Sequence, residues 1–96
     1  MTGQSRRIDA ILSERLRATQ DIARANTEQL RLNQKARGMM VLDMKDARDG
    51  VQDRERDAET ARNNAALDRN LDHIRQLEDR LLALDEDLAA AVRKET

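Results

Sequence analysis

The sequence predicts an all-α protein: a long amphipathic helix, or a two-helix hairpin, that forms a coiled coil or helical bundle with partner helices. Three observations carry this. Charged residues make up 39% of the 96 residues, and Phe, Trp and Tyr are absent. The chain therefore lacks the side chains that supply the largest blocks of buried area in a globular core. It is rich in Ala, Leu, Arg, Asp and Glu and has no proline, which is the composition of long helices. Its apolar residues recur at spacings of three and four, which separates it from a disordered chain of similar charge.

Residues 1–7 read as an N-terminal tail and helix cap. Ser5 is placed to cap, and Asp9 to favour the partial positive charge of the first turn. Residues 8–42 read as a broad-faced bundle helix. With Leu12, Thr19, Asn26, Asn33 and Met40 at a, the d positions hold Ile8, Arg15, Ile22, Gln29 and Ala36. Leu16, Ala23 and Leu30 then fall at e, and Ala18, Ala25, Leu32 and Met39 at g. The seam is half polar and its flanks apolar, a width that suits several neighbouring helices. The expected bundle face is Ile8, Leu12, Leu16, Ile22, Leu30 and Met40. Opposite it, Glu14, Asp21 and Glu28 alternate with Arg17, Arg24 and Arg31, a solvated face laced by weak ion pairs.

Residues 43–66 form a charged, Ala-rich connector or bend. Ala47, Val51, Arg54, Ala58, Ala61 and Ala65 trace a thin stripe there. Gly50 is the candidate hinge: glycine weakens a helix interior by about 1 kcal/mol against alanine, and Asp49-Gly50 is a turn signal. Residues 67–94 carry the clearest heptads, with a coiled-coil core of Leu67, Ile74, Leu77, Leu81, Leu84 and Leu88. Asn70 and Ala91 are the weak positions of that seam. A parallel self-paired segment would bring His73 to Glu78 and Arg80 to Asp85, whereas an antiparallel one would set Glu78 and Asp85 among like charges. Arg93 and Lys94 favour the last turn.

The first and third segments are out of register by one residue, and the break falls in the charged middle. Residues 1–42 hold eight Lys/Arg and four Asp/Glu, net +4; residues 43–96 hold ten and fifteen, net −5. A hairpin, or an antiparallel or staggered assembly, would bring the opposite charges together. A single rod of ~135 Å and a hairpin both remain open at this point.

Catalysis needs a nucleophile or base held against a second group in a water-excluding pocket. The one histidine, His73, reads as an interface-edge residue, and there is no cysteine. Asp43, Asp46, Asp49 and Asp53 do not have the spacing of a calcium loop. The chain is therefore expected to be no enzyme and to take no metal or cofactor. The basic half is interleaved with acids and has no aromatic for base stacking, which disfavours nucleic acid. No run approaches the ~18 apolar residues of a membrane span, and no signal-peptide core follows Arg6-Arg7. The expectation is a soluble, intracellular or particle-associated protein with no small-molecule substrate. Its expected partners are protein helices, in a homo-oligomer or a heteromer. The cluster Met39, Met40, Val41, Leu42 and Met44 is a candidate docking patch, since methionine adapts to irregular partners. It also reads as the best-packed knot of a bundle.

Leu71, Ile74, Leu77, Leu81 and Leu84 form a layered stretch similar to SNARE-like helices, with Asn26 or Gln29 as polar layers. That resemblance covers part of the chain and implies a membrane-fusion helix in a four-helix bundle with anchored partners. No residue role follows from it, because the register breaks in mid-chain. The leading expectation is a non-catalytic structural or assembly protein acting by helix–helix association within a larger complex. Beside it stands a regulatory binding module, a hairpin whose acidic tip (Asp46, Asp49 and Asp53) docks in an enzyme cleft.

Overall fold

The computed structural model describes residues 3–95. Two helices account for nearly all of them: α1, Gly3–Asp49, and α2, Arg54–Glu95. The fold is all-α, and the alternative of one unbroken rod is excluded. Neither helix contains proline, and both are built from straight-chain residues and alanine, which lose little side-chain freedom in a helix.

Gly50 ends α1. Its φ is +71°, a conformation in which an L side chain would press against the backbone. The Gly50 amide donates to the Ala47 carbonyl at 3.3 Å and the Val51 amide to the Asp46 carbonyl at 2.8 Å. This is the paired 5→2 and 6→1 bonding of a Schellman cap, with glycine just beyond the helix. Asp53 starts α2: its carboxylate accepts from the Arg56 amide at 3.1 Å, the bond from N-cap to third helical residue. Glu55 and Asp57 add negative charge to the first turn, where the helix dipole favours it. A helix stop and a helix start thus lie within a few residues of each other.

The chain divides into two units. One combines the chain up to Ala25 with the chain from His73 onward; the other is Asn26–Asp72. In the first unit, α1 and α2 pair antiparallel. Ser5 donates to Glu95 at 3.1 Å, Arg15 to Asp85 at 2.5 Å and Arg80 to Glu14 at 2.7 Å. Between these polar flanks lies an apolar cluster. Ile11, Ala18, Leu84 and Ala91 form its centre, with Ile8, Leu81 and Leu88 packed against it. Each helix gives the centre one bulky side chain and one alanine, so large meets small and the backbones approach closely. Leu77 and Ala25 are buried in this unit too.

The second unit is a helical hairpin around the turn. Here the buried and half-buried rows of α1 are Gln29, Leu32, Ala36, Met39, Asp43 and Asp46. Those of α2 are Arg56, Thr60, Asn63, Leu67 and Asn70. The Asn70 amide donates to Gln29 at 2.8 Å, and the Thr60 hydroxyl to the Met39 sulfur at 3.6 Å. Asn63, only 4% exposed, donates to the Leu32 carbonyl at 3.0 Å.

Several expectations need correcting. Ser5 lies inside α1. On α1 the helix-facing rows are those placed at d and g, with Ile11 added, so the seam is rotated from the a and d rows of the sequence reading. When four adjacent rows are apolar, spacing alone cannot choose between neighbouring seams. The choice falls to the partner, and the leucines of α2 take the rows containing Ala18 and Ala25. In the turn half, Ala58, Ala61 and Ala65 are exposed, and the seam runs instead through Arg56, Thr60 and Asn63. The heptad core of residues 67–94 is occupied by the chain's own α1, antiparallel. Arg80 and Asp85, set against each other in the parallel reading, bond Glu14 and Arg15.

Candidate docking surfaces

Rotation of the α1 seam leaves much of the expected bundle face uncovered. Ile8 and Ile22 are half-buried, whereas Leu12, Leu16, Leu30 and Met40 are exposed. The methionine cluster divides in the same way. Met39 is buried in the hairpin seam, while Met40 (57%), Val41 (63%) and Met44 (66%) stand in solvent with Leu42. Helical spacing puts Arg37, Val41, Met44 and Arg48 on one side of α1, with Met40 and Lys45 beside them. In the coiled-coil core, Leu77 and Leu84 are buried and Leu67, Ile74, Leu81 and Leu88 half-buried. Leu82, outside that seam, is 60% exposed.

The acidic tip is tied down. The Arg56 guanidinium bonds Asp46, lies 3.3 Å from Asp53 and 3.6 Å from Asp43. Its pKa is raised, first by the hydrogen bond to Asp46 and then by the field of the three carboxylates. Asp43 and Asp46 approach the C-terminal end of α1, where the helix dipole disfavours negative charge. Arg56 offsets that repulsion by occupying the point on which the carboxylates converge. Of the three tip aspartates, Asp49 alone is exposed; Asp46 and Asp53 are half-buried. Gly50 sits at the turn, and a Cβ built on it meets nothing within 4 Å.

On the solvated side of α1, Arg24 bonds Asp21, and Arg31 forms a fork with Glu28 at 2.9 and 2.6 Å. That fork lowers the pKa of Glu28. His73 is exposed. Among the described residues no group of three or more His, Cys, Asp or Glu is placed to hold a metal ion, and no helix is long and apolar enough to cross a membrane. No protein-family model, curated protein or solved structure matches the chain.

The signal for these surfaces was present in the sequence as the width of the α1 apolar face. Which half of that width α2 would cover could not be read from α1 alone.

Proposed function

We propose that this chain is a non-catalytic assembly protein that acts through helix–helix association within a larger complex. The observation that carries the reading is an inversion in the turn half. Its seam admits Asn63, Asn70, Thr60 and Arg56 beside Leu32, Met39 and Leu67, while Met40, Val41, Leu42 and Met44 face solvent. Contiguous exposed apolar side chains rimmed by charge mark interaction sites on soluble proteins, and methionine suits a surface that must conform to its partner.

The test is the native mass of the chain recovered from its source. The expected result is a complex heavier than the monomer, reduced to the monomer when Met40→Glu and Met44→Glu are introduced together. A monomeric mass for the unaltered chain, in extract and at every concentration, would overturn the reading.

A further inference from the structure

We infer that a second copy of this chain covers the exposed α1 patch, and that it does so with the acidic outer face of its α2. The inference rests on the assembly reading above and names the occupant of its surface.

Charge and spacing point to that occupant. Around Met40, Val41 and Met44 lie Arg37, Lys45 and Arg48, none of which is ion-paired among the described residues. Of the neighbouring carboxylates, Asp43 and Asp46 are engaged with Arg56, and Asp49, past the end of the patch, is exposed. The patch is therefore apolar with cations at both ends. The converse surface lies on α2 in the other unit. Leu82 is 60% exposed, with exposed Ala83 and Ala89 beside it and Val92 further along. Glu78, Asp79 and Glu86 flank it, and none of the three is ion-paired among the described residues. Nearby Asp85 is taken by Arg15.

The two faces also match in length. Arg37 and Lys45 stand eight positions apart, as do Glu78 and Glu86, a rise of about 12 Å in either helix. Apposed helices would thus set cation against carboxylate at both ends, with Val41, Met40 and Met44 against Leu82 between them. Complementary charge fixes partner and register in such contacts more than it adds affinity. An anionic lipid surface fits the same cations less well, because Asp49, Glu55, Asp57 and Glu59 are exposed in the same unit. Every copy carries both faces, so the contact closes on itself in a pair or repeats along a series.

Sedimentation of the full chain tests this. The unaltered protein is expected to associate at micromolar concentration, less so as salt is raised. Arg37→Glu, Lys45→Glu and Arg48→Glu together should weaken association by about a hundredfold or more through like-charge contact, as should Glu78→Lys, Asp79→Lys and Glu86→Lys together. The two triple variants mixed in equal amounts should associate again. Met44→Glu should dissociate the protein with helicity by circular dichroism unchanged, since that side chain leaves the hairpin seam untouched. A purified chain that stays monomeric overturns the inference, as does association that both triple variants retain. If that monomer is found in a heavier complex in its source, the second copy is excluded and the assembly reading stands. If it is monomeric there too, both fall.

Discussion

The two units join the same pair of helices by opposite means. In the unit that contains the chain ends, Ile8, Ile11, Ala18, Leu81, Leu84 and Leu88 close an apolar seam, and the ion pairs Arg15–Asp85 and Glu14–Arg80 sit on its flanks. In the turn unit, polar side chains occupy the seam itself: Gln29 with Asn70, Thr60 with Met39, Asn63 on a carbonyl, and Arg56 among three aspartates. Apolar burial is strong and undirected. Polar pairs contribute less but are satisfied in only one register. By these rules the first seam is expected to contribute most of the stability, and the polar pairs of the second to restrict the register of α1 against α2. The turn unit buries Leu32 and Met39 but leaves Met40, Val41, Leu42 and Met44 exposed, which is why it is the half expected to be covered by a partner.

Substitutions in the two seams are expected to act in opposite directions. Leu84→Ala has the largest expected effect: removing a buried leucine from the apolar seam should cost about 2–4 kcal/mol in urea unfolding followed by circular dichroism. A loss below that of an exposed substitution such as Leu82→Ala would refute the stabilising role of this unit. Asn63→Leu probes the other seam and should act in the opposite direction. It exchanges a buried amide for apolar area while the Leu32 carbonyl keeps its helical partner, so stability should rise by about 1–2 kcal/mol. Specificity should fall, visible as additional amide resonances from residues near the turn. A destabilised protein with a single set of resonances would show that the asparagine supplies stability and not register. Gly50→Ala tests the turn. Nothing obstructs the new methyl group, so the cost is that of a left-handed L residue, about 1 kcal/mol, and Gly50→Asn should cost less.

The smallest effect concerns pH. The fork from Arg31 holds the Glu28 carboxyl below the usual glutamate range. A depressed folded-state pKa contributes stability that is complete above the unfolded value, near 4.3, and is lost as pH falls through the folded value. At this exposed site the contribution is minor. The check is a carbon-detected NMR titration of Glu28, whose midpoint should return to the ordinary range in Arg31→Ala. An unmoved midpoint would remove the fork as its cause.

Much of this was legible in the sequence. The heptad of α2 could be read from Leu67, Ile74, Leu77, Leu81, Leu84 and Leu88 because one apolar row stood clearly above its neighbours. Asp49-Gly50 marked a turn because few residues adopt a positive φ. Absent prolines and aromatics left little but helix. The candidate surface was legible only as an ambiguity. Leu12, Leu16, Leu30 and Met40 compete with Ile11, Ala18, Ala25 and Leu32 for the same role, and spacing along one helix contains nothing that decides between adjacent rows.

Tertiary structure made three choices. It turned α1 so that alanines meet the leucines of α2, because interior packing rewards matched volumes over the largest apolar count. It put Asn63 and Arg56 in the seam of the turn unit and left Ala58, Ala61 and Ala65 outside, because the polar groups find partners on α1 that small methyl groups would not replace. It gathered Asp43, Asp46 and Asp53 around one guanidinium and left Asp49 of the tip exposed. Local spacing and backbone preference sufficed to read the chain as helical, to mark Asp49-Gly50 as the candidate bend and to pick out the leucine row of α2, but they left rod and hairpin open. Which face of α1 is buried, and which is left for another chain, depends on contacts between residues far apart in sequence, and only the folded pair of helices decided it.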